Sequence, residues 1–443
     1  MKSEYFTLTN GLRAAVAQKK NLPITVFYVI VESGSYADPA GLSGAASLTA
    51  DLLDKGAGGL STFQLAQTLD SLGAHLSTSS SAFTSSVSMQ LLSKDFDKGL
   101  DLFAQTILQP EFPEEELERA KAITLSEIEQ DKQEPHALIG DLFREALYRA
   151  HPLHTPVEGY PETIPGIHRD HLVAFHRAHF LPKNAILVAV SDLPIAEVRH
   201  ALEAVFGGWN GGARPSHAIA PLPPVGSPSA VILQMPLTQS LVALGHFGLR
   251  RKDPDFNAVR VMNYLLGGGS FSSRLFMGVR NRKGYAYSVH SSISAGRDIP
   301  GQFCVSFETQ TGRTLPALSE SLKIIRATRQ GGFKVNELKD AKAFFEGSLP
   351  RRTQTYGQIA SLLADSIYHG LGEDFWLKDL KEILALSADD LNGAIRRRVS
   401  VERFVLAVVG NAEPLAGKLP GVPEAAVRVI SDIRELRAAP VAA

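Results

Sequence analysis

Four histidines crowd one short stretch, His168, His171, His176 and His179 in HRDHLVAFHRAH. Imidazoles at this density are what proteins build metal sites from. At about 100° per residue the four fall on one broad helical face, and two i,i+3 pairs could chelate a divalent ion. The stretch has a simpler reading as an amphipathic helix with Leu172, Val173, Phe175 and Phe180 on its apolar side, and that is the expectation. Cys304 is the only cysteine, which excludes an intramolecular disulfide and any Cys-based zinc cluster. In the strand-like GQFCVSFET it reads as a small core residue. Gly267, Gly268 and Gly269 permit backbone conformations and close approaches closed to other residues. No Gly-Lys-Ser/Thr follows them, so they are not a phosphate loop. No G-x-S-x-G elbow marks a serine hydrolase either.

These groups need elements to hold them, and 443 residues suffice for two to four cores. The chain is 44% hydrophobic and 21% charged, ordinary for a globular protein, with 45 basic against 46 acidic residues. That balance gives no global steering toward nucleic acid or an anionic membrane, and neither is expected as a partner. Met1–Tyr5 lacks an apolar leader core, which favours the cytoplasm, although a periplasmic chain with its signal peptide removed would look the same.

An internal duplication organises the rest. FPEEELERAK (112–121) matches FKVNELKDAK (333–342), an offset of 221, and AILVAVSD (185–192) matches FVLAVVGN (404–411), an offset of 219. LPITVFYVIVESGSYADPAG and LTQSLVALGHFGLRRKDPDF form a third pair in the same order. Between the copies runs the Gly/Pro-rich GWNGGARPSHAIAPLPPVGSPS. The predicted domains are 1–207 and 230–435, joined by a linker at 208–229, with a frayed tail AAPVAA. Each half opens with strands (TVFYVIVES, SSVSMQLL) and continues into helices, FPEEELERAKAITLSEIEQ having Pro early and acidic residues in its first turn. The predicted class is α+β: two homologous domains related by a pseudo-two-fold, each with a sheet covered by helices on one face. A cut in the linker is expected to leave two folded pieces.

The ordered segments NGLRAAVAQ, ADPAGLSGAASLTADLLDKGAG, HPLHTPVEGYPETI, DHLVAFHRAHFLPKNAILVAVSD and LLGGGSFSSRLFMGVRNRKGYAYSVHS resemble the pitrilysin-type zinc peptidases, which include insulin-degrading enzyme and the mitochondrial processing peptidase. That family works through H-x-x-E-H on a helix, two zinc ligands flanking a general base, with a distant glutamate as third ligand. Counting back from Lys55-Gly56, the motif positions are Ser47, Ala50 and Asp51 here, and the distant glutamate is Glu127. Both histidines and the base are missing. No metal is therefore expected in this chain, with Glu127 a surface or interdomain residue.

The resemblance assigns a different role to Arg280 and Tyr287, seven residues apart. In the family such a pair reaches from the C-terminal half to the zinc site, where guanidinium and phenol donate to the carbonyl that gains negative charge. The alternative is a surface arginine and a sheet tyrosine. Gly267–Gly269 resemble, in shortened form, the substrate-guiding glycine loop of the noncatalytic processing-peptidase subunit; the alternative is a tight turn. LSTSSSAFTSSVSMQ (76–90) is a half-buried strand beside which, in the family, extended substrate adds as a further strand. The resemblance thus implies a noncatalytic subunit, inactive alone, paired with an H-x-x-E-H chain that carries the zinc and acting on peptides. A scaffold of the same fold, like the respiratory-complex core subunits, is the competing expectation.

Overall fold

The computed structural model describes residues 2–216 and 218–437, so the tail AAPVAA and His217 of the linker lie outside the described residues. The chain forms two compact units, each α+β and each built on a six-stranded mixed sheet. In the first, β1 (Lys2–Thr7), β2 (Arg13–Gln18), β3 (Ile24–Val31), β4 (His75–Ser80), β5 (Ser85–Leu92) and β6 (Ala185–Ser191) run in the order β1-β2-β6-β3-β5-β4. Only β2 and β6 pair in parallel.

The second unit has β7 (Ser229–Gln234), β8 (Gln239–Phe247), the short β9 (Leu249–Arg250), β10 (Ser288–Ile293), β11 (Ala295–Gly296), β12 (Gln302–Gln310), β13 (Val405–Gly410) and β14 (Val427–Ile430). Its main sheet runs β10-β12-β8-β13-β7-β14, with β9 and β11 forming a small parallel pair apart. Five positions repeat the first sheet. The sixth strand comes from opposite chain ends: β1 lies antiparallel on β2, whereas β14 lies parallel on β7.

The duplicated strands β6 (AILVAVS) and β13 (VLAVVG) are buried along their whole length. A strand apolar at every position has two faces to cover. On β13, Leu406 and Val408 join the core with Val259, Met262, Leu318 and Ile325. Val405, Ala407 and Val409 face the other way and pack with Leu138, Leu142, Phe143 and Leu147. Those four residues lie on the helix Pro135–Tyr148, which comes from the first half of the repeat. Reciprocally, the helix Tyr356–His369, from the second half, packs across β3 and β6 of the first unit and buries Tyr356, Ile359, Leu362 and Leu363.

The units are therefore not the contiguous segments 1–207 and 230–435. Residues 130–154 belong to the second unit and residues 349–375 to the first. Within its own half each sheet has one covered face, as expected; the exchanged helix covers the other. At about 1.5–3 kcal/mol per buried large aliphatic or aromatic side chain, the four residues on Pro135–Tyr148 make the exchange a major contribution.

The linker is also fastened. Asn10 Nδ2 donates to the carbonyls of Phe206 (2.8 Å) and Trp209 (3.0 Å), and Arg214 pairs with the buried Glu32, which also binds Arg13. At its far end Ala220 O lies 3.0 Å from His151 Nε2. No helix among the described residues is long and apolar enough to cross a membrane.

The exchange predicts that 1–207 and 230–437, expressed separately, each lack one layer and melt without a cooperative transition. Co-expressed, they should copurify and recover it. Circular dichroism melts of the separate and combined halves check this, and a sharp transition in either half alone would contradict the exchange.

Candidate functional site

The helix Ala45–Asp51 carries Ser47, Ala50 and Asp51. Its start is fixed by Asp38, whose carboxylate accepts the N–H groups of Gly44 and Ala46 at 2.8 Å each. Gly44 has φ 104°, and a Cβ there would come within 2.6 Å of Glu158 O, so this helix entrance requires glycine. Ser47 is half-buried, Ala50 is fully buried, and Asp51 and Glu127 are exposed. Ser47, Ala50 and Asp51 offer a hydroxyl, a methyl and a carboxylate, and Glu127 a second carboxylate, a poor donor set for a borderline-soft ion. No group of three His, Cys, Asp or Glu among the described residues is arranged to hold a metal ion. The Asp51 carboxyl is pushed up to about 6, first by desolvation, then by Asp54 against the relief of Lys55, with Glu127 and Glu158 adding to it. The residues present do not fit zinc.

Arg280 and Tyr287 are brought together. Two π-helical turns, Tyr264–Gly268 and Phe276–Arg282, frame this part of the second unit; such turns recur at functional sites. The Arg280 guanidinium carbon lies 4.5 Å from the Tyr287 ring centre, 4.7 Å from that of Phe276 and 6.0 Å from that of Phe271. After the second π turn, Tyr285 N donates to Val279 O (3.0 Å) through a bend at Gly284 with φ 61°. Ala286 is then buried while Tyr287 is 81% exposed at the entry to β10. Gly278 lets the π turn settle on the helix Thr314–Gly331, since a Cβ there would meet Ile324 Cδ1 at 2.3 Å.

Arg274, six residues before Arg280, shows the contrast. Its donors go to Glu337 (2.7 and 2.8 Å), Thr328 Oγ1 (3.1 Å) and Gly332 O (2.8 Å). Arg280 and the Tyr287 hydroxyl have no hydrogen bond or ion pair among the described residues; the arginine is held by ring faces alone. Its N–H forks stay available to an acceptor from outside. Phe276 and Phe271 were not among the residues singled out from the sequence. The signal was there for Phe276, which stands four residues before Arg280, a spacing that shares a helical face.

Gly267 and Gly268 lie in the first π turn and Gly269 follows it. A Cβ on Gly267 would come within 2.5 Å of Ser291 N, so the turn presses on β10, and beside it Asn263 Nδ2 donates to Ser291 O (3.2 Å). This covers part of the β10 edge. In the first unit the Ser/Thr-rich strand β4 is the sheet edge and pairs with β5. The four histidines do not converge. His176 Nε2 donates to Ile107 O (2.8 Å), His179 Nδ1 lies 3.0 Å from Ser33 Oγ, and His171 Nδ1 accepts the His168 N–H (3.0 Å). Cys304 is half-buried in β12, its thiol pushed up to about 11 by burial.

A pH signature follows from Asp51. Its folded value lies above the ordinary 3.8, so its contribution to stability is complete below about 3.8 and is lost as pH rises through about 6. Asp51→Asn should therefore raise Tm at pH 7.5 by the equivalent of about 1 kcal/mol, discounted for solvent access, and leave it nearly unchanged at pH 4. Thermal melts at both pH values check this, and an equal effect at both would contradict the electrostatic account.

Residues 13–160 match the model described as insulinase (peptidase family M16), and residues 166–345 match that of the peptidase M16 inactive domain. An uncharacterized zinc protease of Streptomyces coelicolor is 26% identical over 416 residues, covering 91% of this chain and 88% of its own. The non-peptidase homolog YmxG of Helicobacter pylori is 24% identical over 406 residues, 91% of this chain and 93% of its own. The crystal structure of a peptidase M16 inactive domain from Pseudomonas fluorescens aligns with a TM-score of 0.87 at 25% identity, covering 93% of this chain and 98% of that one. With consecutive segments, 13–160 and 166–345, matching two models of one family, the chain belongs to the insulinase-type M16 family.

Proposed function

We propose that this chain is the noncatalytic subunit of a two-chain M16 peptidase, lending Arg280 and Tyr287 to the active site of a partner that carries H-x-x-E-H. The observation that carries the reading is the pairing of an arginine held on aromatic faces with an exposed phenol, both with unspent donors, in a chain whose own zinc motif is Ser47, Ala50 and Asp51. A merely structural arginine would be expected to look like Arg274, with its donors consumed. The names of the Helicobacter and Pseudomonas relatives, a non-peptidase homolog and an inactive domain, point the same way.

In this reading a zinc held by the partner would supply Lewis-acid polarisation of the scissile carbonyl and an activated water. Arg280, fixed by stacking rather than by hydrogen bonds, offers its fork to the carbonyl oxygen as charge builds on it. Tyr287 adds a phenolic O–H. Donors fixed beforehand need no reorganisation during reaction, the source of their advantage over water. Gly267–Gly269 contribute by letting the first π turn close on β10, the strand that Tyr287 enters.

The test is a reconstituted complex with the partner. Arg280→Ala or Tyr287→Phe should lower turnover about 10²–10³-fold for the first and less for the second, with assembly and Tm unchanged. Arg280→Lys should stay impaired, because an ammonium lacks the planar fork. Unchanged turnover with intact assembly would favour a scaffold role instead.

A further inference from the structure

An open cleft of about 1020 Å³ lies within the second unit and shares no residue with the Arg280 turn. Its walls are the extended run 219–225, the end of β8 with Arg250 on β9, the loop 298–300, and the end of the helix Ala388–Arg398 with the turn that follows it. Six arginines line it: Arg250, Arg329, Arg396, Arg397, Arg398 and Arg403.

Three of the six are spent inside the protein. Arg329 grips Glu402 through both carboxylate oxygens (2.8 and 2.9 Å), Arg398 bridges Asp253 (3.1 Å) and Asp255 (2.8 Å), and Arg397 reaches Asp255 at 3.4 Å. Of the acidic lining residues, Glu402 is thus occupied, and Asp298 is held by Arg297 at 2.8 Å. Arg250, Arg396 and Arg403 are exposed and have no counter-ion among the described residues. The negative end of the helix dipole explains Arg396, but Arg250 and Arg403 stand on other elements.

Hydrogen bonds and prolines hold parts of the lining in place. His246 is buried, its pKa lowered by desolvation, and the neutral ring accepts the Ser400 N–H at Nε2 (3.0 Å) while Nδ1 lies 2.7 Å from Phe247 O. Ser400 Oγ in turn accepts the N–H of Arg403 (2.9 Å). The opposite wall contains Pro221, Pro223 and Pro224, whose φ angles are fixed by their rings.

We propose that this cleft binds a small anion carrying several linked phosphates. Planar guanidinium forks match phosphate oxygens in pairs, and three exposed arginines without a counter-ion among the described residues, two of them away from any helix end, call for a ligand with charge to share among them. The volume is that of a small-molecule site.

Calorimetric titration of the full-length chain at fixed ionic strength tests this with sodium tripolyphosphate, orthophosphate and a hexaglutamate peptide. Tripolyphosphate should bind at least about tenfold more tightly than orthophosphate, and R250Q/R396Q/R403Q should lose about tenfold in affinity. Arg280→Ala should bind as the parent does, which separates this site from the proposed peptidase role. The single variants Arg250→Gln and Arg403→Gln, each weakened, decide the matter if the triple variant folds poorly. Equal affinity for tripolyphosphate and orthophosphate, undiminished binding by the variants, or binding of the peptide alone would overturn the proposal.

Discussion

A strand that is apolar on both faces must be covered twice, and β6 and β13 are such strands. Each half of the duplicated chain supplies one layer of helices for its own sheet and sends one helix to the other sheet. Most other features of the fold follow from that requirement. The long helices Glu114–Asp131 and Val335–Arg352 bury little, chiefly Leu117 and Lys121 in one and Leu338 and Ala341 in the other, because they carry the chain toward the exchange. Pro350, inside the second of them, stands where the chain passes from one unit to the other.

The same economy shapes the two ends of the proposed chemistry. In the first unit, Asp38 and Gly44 set the start of the helix Ala45–Asp51, and its side chains form no ligand set among the described residues. What remains is Asp51, whose carboxyl is pushed up first by desolvation and then by the neighbouring carboxylates. In the second unit the arrangement is the reverse. Arg280 is held without consuming its donors, which is the condition for a group that must meet a transient charge rather than stabilise its own fold.

Much of this was legible in the residues. The FPEEELERAK/FKVNELKDAK pair located the two long helices, and the AILVAVSD/FVLAVVGN pair marked the duplicated segments that form β6 and β13. The structure brings Arg280 and Tyr287 together, as their spacing allowed, and Leu172 and Phe175 marked the histidine-rich helix as amphipathic. The helix exchange was not legible, because Pro135–Tyr148 has the same apolar pattern whichever sheet it covers; periodicity gives a face but not its partner. Nor was the anchoring of the linker, which rests on long-range contacts such as Arg214 to Glu32. The left-handed conformation of the buried Phe112 (φ 47°) and the π turns around Arg280 also depend on tertiary packing, with no local composition to announce them.

The proposed role depends on position, since it requires the turn bearing Arg280 and Tyr287 to face a metal held by another chain. Lys283 is exposed on that turn, and Cys304→Ala leaves no native thiol to compete with a label. A nitroxide on Lys283→Cys, in complex with a partner whose zinc is replaced by manganese, reports the separation through electron dipolar coupling. The account predicts strong coupling that appears only with the metal-loaded partner. An assembled complex in which the label feels no manganese would contradict it.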